Sequence, residues 1–168
     1  MWFNLDLEGF NFHMKIWDWR PVTRENIDDN WCSVQLNLIA KDSLNKYIHS
    51  DLLCAEIERF VDFLDQFEQN QIQKKTSLDF LEPDLQFVFY PNGNAEGCRS
   101  LYKIEEPFME MFIYFWCGYP TNNHLALTFY KKEIQLLANY LKLVIGRLKS
   151  NSPEIQQMRE RGILTNDI

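Results

Sequence analysis

Three histidines, His13, His49 and His124, are the residues of this 168-residue chain best suited to acid–base or metal chemistry. No two stand at a ligand spacing such as His-Glu-x-x-His, and no cysteine accompanies one at metal distance. His13 alternates outward on a strand pattern, His49 precedes a helix pattern, and His124 follows a turn. The members of a catalytic triad need not be neighbours in sequence, so a site built from these residues is conceivable. A nucleophile signature is missing, however: Gly-x-Ser-x-Gly is absent, and no cysteine stands in a recognisable catalytic context. Glu105, Glu106 and Glu110 are the carboxylates closest to a glycosidase-like pair. In a chain with 24 acidic residues their proximity has a plainer reading as a solvated loop. The six glycines are scattered and form neither a P-loop nor a dinucleotide fingerprint. The sequence therefore points to no catalytic residue, no metal site and no cofactor.

Cys32, Cys54, Cys98 and Cys117 lack a C-x-x-C spacing. Three of them fall within apolar patterns, where a reduced thiol packs as a small hydrophobe. The start of the chain, Met1-Trp2-Phe3-Asn4-Leu5-Asp6, has neither the basic opening nor the apolar run of a signal peptide, and no stretch is long enough to span a bilayer. A cytoplasmic location is expected, with no membrane association. The net charge of −7 repels phosphate backbones, which excludes nucleic acid as a natural partner and suits a basic one.

The elements that would position a site follow from periodicity. Phe10, Phe12, Met14 and Ile16 alternate with Asn11, His13 and Lys15, as in a half-buried strand. Trp17 and Trp19 then place large rings on the opposite face, before a polar loop over 21–30. A second strand points Cys32, Val34, Leu36, Leu38 and Ala40 one way, and the two strands are expected to pair antiparallel. Ser50 or Asp51 is the expected cap of a first helix that buries Leu53, Ile57, Phe60, Val61, Leu64 and Phe67. Strand segments at 78–81 and 85–90 are interrupted by Glu82-Pro83-Asp84, and Pro91-Asn92-Gly93-Asn94 signals a turn. A short strand over 101–104 is also expected.

Met109 to Cys117 alternates apolar residues on both faces and reads as a central strand. It turns at 120–123 and returns through Leu125, Leu127 and Phe129. The second helix buries Ile134, Leu137, Leu141, Val144 and Leu148, with Leu136, Tyr140 and Leu143 as a second stripe. Ser152-Pro153 opens a short helix that stops near Gly162, beyond which a frayed tail is expected. The fold class is α+β: a mostly antiparallel sheet of about six strands, two main amphipathic helices packed on one face, and a short C-terminal helix. Residues 1–150 form a single domain in this reading, and 151–168 the short helix and tail.

Two surface features offer binding chemistry. On the first helix Glu58, Asp62 and Asp65 are spaced by four and three, along one outward stripe, with Asp51 above. Like charges so placed cost a few tenths of a kcal/mol each. The plain reading is a solvated helix face; the functional one is a stripe that steers a basic partner. Trp17, Trp19, Trp31, Trp116 and Tyr119 lie near strand ends, where they line a pocket, rim an interface or simply plug the second face of the sheet.

The segment Leu78-Asp79-Phe80-Leu81-Glu82-Pro83-Asp84-Leu85-Gln86-Phe87 carries a Glu-Pro-x-Leu-x-Phe pattern. Alternating strands at 109–113 and 125–129 and a closing helix follow it. Together with the strand and helix at 31–67, this resembles the WapI-type immunity proteins of bacterial contact-dependent toxin systems over roughly residues 10–148. The C-terminal helix and the long 21–30 loop depart from that pattern. The resemblance implies a cytoplasmic protein without catalytic activity that binds the toxic C-terminal domain of a cognate toxin, often a nuclease and commonly basic. No binding residue transfers from the family, so the acidic stripe and the strand-end aromatics stand on their own chemistry. A homodimer is compatible with these features. The alternatives are a small-molecule binder with an aromatic pocket near Trp17 and Trp116, and an enzyme using His13, His49 or His124.

Overall fold

The computed structural model describes residues 1–7, 9–40, 44–93, 104–114 and 124–166. Among these residues nine strands lie in two antiparallel sheets, and three helices complete an α+β fold. The expected single sheet of about six strands is thus corrected to a sheet of five and a sheet of four. The chain clusters into two compact units: Met1–Val61 with Leu136–Ile168, and Asp62–Gln135.

The first unit is built on the sheet β4-β3-β2-β1-β9. β1 (Trp2–Leu7) pairs with β2 (Phe10–Trp17) across a tight connection through Gly9, whose φ of 102° disfavours any side chain. β2 pairs with β3 (Trp31–Ala40), and β3 with β4 (Leu44–Leu53) over ten consecutive residue pairs. The alternation places Phe3, Phe12, Met14, Val34, Leu36 and Leu38 on one buried face. Tyr140 belongs to this core: its ring stacks on Phe3 at 5.1 Å and 11°. Its hydroxyl accepts the backbone N–H of Ile16 at 2.9 Å.

β4 replaces the expected helix cap. Ser50 and Asp51 lie within this strand, and α1 begins only at Cys54 (Cys54–Glu68). The orphan N–H of Leu53 is instead taken by the Glu56 carboxylate at 3.0 Å. The same device recurs where β8 runs into α2, with Tyr130 N–H donating to Glu133 at 3.1 Å. A glutamate three residues past the last strand residue therefore starts both main helices without a Ser or Asp cap.

α2 (Lys131–Val144) buries Ile134, Leu137, Ala138, Tyr140 and Leu141. Val144 and Leu148, expected in that face, are only half-buried, because the helix ends at Val144 and the chain turns at Gly146 with φ 75°. α3 (Pro153–Glu160) has Pro153 in its first turn, as expected, and the chain leaves it through Gly162 at φ 71°. Ser152 occupies the cap position without making a side-chain cap bond.

The tail is not frayed through residue 166. Ile163 and Leu164 are buried, and β9 (Leu164–Thr165) pairs with Trp2 and Phe3 of β1. The Ile163 carbonyl accepts Asn4 N–H at 2.8 Å. Truncation after Gly162 should remove both apolar side chains and uncover the edge of β1. The expected loss is about 3 kcal/mol, at ~1.5 kcal/mol or more per buried aliphatic side chain. A urea titration reads this, and an unchanged midpoint would show that β9 contributes nothing.

The second unit holds the sheet β5-β6-β7-β8. β5 (Thr76–Asp79) and β6 (Leu85–Tyr90) form a hairpin, so the Glu82-Pro83 interruption is its turn, while Leu85 and Phe87 of the same motif are buried. β7 (Phe108–Tyr114) lies inside the sheet, between β6 and β8 (His124–Tyr130), in keeping with its two apolar faces. Phe89 packs on Phe63 and Phe67 of α1 at 5.8 and 5.3 Å. On the other face Tyr90 stacks on Phe108 at 4.4 Å and donates its hydroxyl proton to Glu110 at 2.8 Å. Gly93 lies in the expected turn with φ 73°, and a Cβ there would meet the Ile104 carbonyl at 2.0 Å. Only glycine fits. The expected strand over 101–104 and the turn at 120–123 lie outside the described residues, apart from Ile104.

Candidate partner-binding surface

Strand alternation sends His13, Lys15 and Trp17 of β2 to the face of the five-stranded sheet opposite its core. The register aligns Lys15 with Gln35 and His49, His13 with Asn37 and Tyr47, and Trp17 with Ser33 and Asp51. Trp17 and Asp51, both singled out from sequence, therefore share one face two strands apart, roughly 10 Å.

The centre of this face is a stack. Lys15 Nζ lies 5.5 Å from the Trp2 ring and 5.8 Å from the Trp17 ring, within cation–π range of both. The His49 ring rests against Trp17 at 5.4 Å. Tyr47 is the most open aromatic here, at 59% exposure. Ser33 donates its hydroxyl proton to Asp51 at 2.8 Å. That order is not a triad's, in which an imidazole stands between hydroxyl and carboxylate.

A polar chain runs beside the stack. Asn4 Nδ2 donates to the Gly162 carbonyl at 3.3 Å and to Thr165 Oγ1 at 3.0 Å, which orients its Oδ1 toward His13. His13 Nδ1 lies 2.6 Å from that oxygen and must carry the proton that it accepts. Burial lowers the His13 pKa below the usual imidazole value, in keeping with a neutral ring. Asn37 Oδ1 is buried on the same face, with no hydrogen-bond partner among the described residues.

The other sequence candidates fall elsewhere. Trp19 follows Asp18, whose φ of 60° turns the chain away, and its indole N–H donates to the Cys54 carbonyl at 3.4 Å. It braces the start of α1 together with Asn30, whose carbonyl accepts Cys54 N–H at 2.7 Å. Glu58, Asp62 and Asp65 line α1 at the expected helical spacing; Asp62 is exposed, Glu58 and Asp65 half-exposed. The last turn of α1 holds no basic residue, although its dipole favours one there. Trp116 and Tyr119 lie outside the described residues.

His124 lies in the second unit, against the Phe112 and Tyr114 rings at 5.1 and 5.5 Å. Among the described residues no group of three His, Cys, Asp or Glu is placed to hold a metal ion, and no helix is long and apolar enough to cross a membrane. Cys32 and Cys54 are free and buried, and burial, with Cys54 beside it, raises the Cys32 pKa far above the usual thiol range. A cavity in the second unit, lined by Phe67, Glu68, Asn70, Pro107, Lys131 and Ile134, holds about 100 Å³. Sites for drug-sized ligands start at roughly 300 Å³.

Sequence reasoning missed Trp2, Lys15, Tyr47 and His49 as one surface. Phe3, Leu5 and Leu7 alternating with Asn4 and Asp6 is the signal that marks β1 and hence the place of Trp2. β4 offers less, because most of its residues from Asn45 to Asp51 are exposed whichever way they point.

A search of curated proteins finds no match. Among solved structures, that of the plant transcriptional regulator PBF-2 aligns over 97% of this chain and 93% of its own, at 11% identity and a TM-score of 0.40. A likeness at that level carries no argument. The family comparison is decisive: the profile of the WapI-like immunity proteins matches residues 2–149, spanning β1 to β8 and both main helices. The chain belongs to the WapI-like immunity protein family.

Proposed function

We propose that this protein binds the toxic domain of a cognate contact-dependent toxin in the cytoplasm and blocks it by occlusion, without catalysis of its own. Membership of the immunity family is the observation that carries this reading. The net charge of −7 suits a basic toxin domain, such as a nuclease that must itself attract phosphates.

Two surfaces support contact with such a domain. On α1, Glu58, Asp62 and Asp65 keep like charges at four and three residues, and the helix ends without a base. Like charges at these spacings are unfavourable by a few tenths of a kcal/mol, and a carboxylate near a helix C-terminus by roughly 0.3–1 kcal/mol, before any other partner is counted. A helix selected for stability alone would carry Lys or Arg there; one that meets a basic partner would not. On the five-stranded sheet, Asp51 shares a face with the Trp2–Lys15–Trp17 stack, an ordered aromatic cluster of the kind that anchors interfaces.

The test is co-expression with a candidate toxin domain, chosen as the C-terminal domain of any large secreted protein whose gene adjoins that of this chain. Growth restored by this protein, and not by an immunity protein from another toxin pair, supports the reading. Persistent toxicity at matched expression would remove it.

A further inference from the structure

Two of the four cysteines, Cys32 and Cys54, lie among the described residues, and both are free and buried, at 1% and 0% exposure. Cys32 is the second residue of β3 and pairs with Leu52 of β4, while Cys54 is the first residue of α1. The ladder runs one step past β4, because the Asn30 carbonyl accepts Cys54 N–H at 2.7 Å. Alternation then sends Cys32, Leu52 and Cys54 to one side of the sheet, and all three are buried there. The two thiols lie within hydrogen-bonding reach of each other. Their other contacts are long ones between weak groups: Cys32 Sγ to the Leu52 carbonyl at 3.4 Å, and Arg20 N–H to Cys54 Sγ at 3.5 Å.

A disulfide brings its two Cβ atoms to about 3.8 Å, and adjacent strands run about 4.8 Å apart. Thiols that already touch across such a pair can close by rotation about χ1 with a small shift of the chain. Access is the obstacle. The polar loop before β3 is laced over Cys54: the Trp19 indole N–H reaches its carbonyl at 3.4 Å, and Asn30, which holds its N–H, donates to the Arg20 and Pro21 carbonyls at 3.0 and 3.3 Å. Burial, then Cys54, then the carboxylates of Glu56 and Asp51 hold Cys32 in its thiol form, whereas the thiolate is the nucleophile. In the folded chain any oxidation of the pair waits for the loop to lift.

We infer that Cys32 and Cys54 are a latent staple, which closes as a disulfide between β3 and the first residue of α1 when the chain meets a low-molecular-weight disulfide. The step is thiol–disulfide exchange. One cysteine, as thiolate, attacks a sulfur of the small disulfide and expels its other half. The second cysteine then displaces the half that remains. The new S–S bond replaces the old one, the two cysteines together give up two electrons and two protons, and the small disulfide leaves as two thiols. The bridge closes the loop 32–54 and so restrains the unfolded chain, which raises the melting temperature by roughly 7–14 °C. It is independent of toxin recognition and stands or falls without it.

Refolding the full chain from urea in a buffer of oxidised and reduced glutathione is the direct test, because access does not limit closure there. Cys98→Ser with Cys117→Ser leaves this pair alone in the chain; if that variant folds poorly, non-reducing peptide mapping of the refolded parent gives the same reading. The product should be two hydrogen atoms lighter than the reduced chain, yield one linked peptide pair holding Cys32 and Cys54, and melt roughly 7–14 °C above the same chain in dithiothreitol. Before oxidation, both thiols should be silent to a chromogenic disulfide reagent in the folded chain and react in urea. Thiols left free or capped by glutathione after refolding overturn the inference, as does a bridged chain that melts no higher than the reduced one. Thiols that react at once in the folded chain contradict a staple held latent under the loop.

Discussion

Glu58→Lys combined with Asp62→Lys is expected to weaken association with the toxin domain by about a hundredfold, since reversing two charges at an electrostatically matched interface removes roughly 3 kcal/mol. The loss should appear first in the association rate and should shrink as salt rises, because the stripe acts through field as well as contact. Stability should hold to within about 0.5 kcal/mol. The double change trades one like-charge pair at i, i+4 for another, and it sets the second new lysine three residues before Asp65, as an opposite-charge pair. A thermal melt therefore separates the two effects. If surface plasmon resonance gives the same affinity for the parent and the double variant, the α1 stripe is not part of the interface. Family membership would be untouched, and the sheet face around Trp17 would become the surface to mutate next.

Tyr140→Ala should be among the most damaging single changes in the first unit. It removes a fully buried ring that stacks on Phe3, and truncating a buried aromatic residue costs roughly 3–5 kcal/mol. It also strands the Ile16 N–H that the hydroxyl accepts. Tyr140→Phe isolates the second effect: the ring stays, the acceptor goes, and the expected loss is about 1–3 kcal/mol. Urea midpoints of the three chains give these values directly.

The hydroxyl also makes stability fall in alkali. Burial raises the Tyr140 pKa well above the usual phenol value, outweighing the Ile16 hydrogen bond, which lowers it. The folded state then keeps a proton that the unfolded chain releases above about pH 10. The contribution is complete below that pH and is lost as the pH climbs beyond it. Cys32 adds a loss of the same sign from about pH 9 upward. Tyr140→Phe should therefore lose less stability than the parent between about pH 8 and pH 10.5. Equal losses would show that the phenol does not titrate differently in the two states.

Much of the core was legible because its strands have one wet face. Phe12, Met14 and Ile16, and Val34, Leu36 and Leu38, alternate cleanly, and each is buried as the period demands. The helical spacing of Ile57, Phe60, Val61 and Leu64 was equally plain. The edges were not. β4 carries Asn45, Lys46, Tyr47 and His49 on a strand open to water at its side, so its residues follow solvent rather than period. Its Ser50 and Asp51 then resemble a helix cap that the structure does not use. Short-range chemistry at the junction, Glu56 reaching back to Leu53, replaced the cap and is visible only once the helix start is known.

The tail misled for a related reason. Leu164-Thr165 is too short to show any period, and it becomes a strand only because the β1 edge lies alongside it. The division into two sheets has the same character: no linker or change in composition marks it, and it depends on which strands find each other. On the candidate surface, Trp17 and Asp51 were identifiable by type, but their adjacency rests on the register of β2, β3 and β4. Trp19, a residue of the same type two positions on, instead points to the start of α1 after Asp18 reverses the chain.

Titration of the purified toxin domain with this protein, with toxin activity as the readout, tests the central claim most directly. Activity should fall in proportion to added protein and vanish near one equivalent, and the two chains should co-migrate as a complex in gel filtration. Full toxin activity in the presence of a severalfold excess, with the two chains eluting separately, would contradict it.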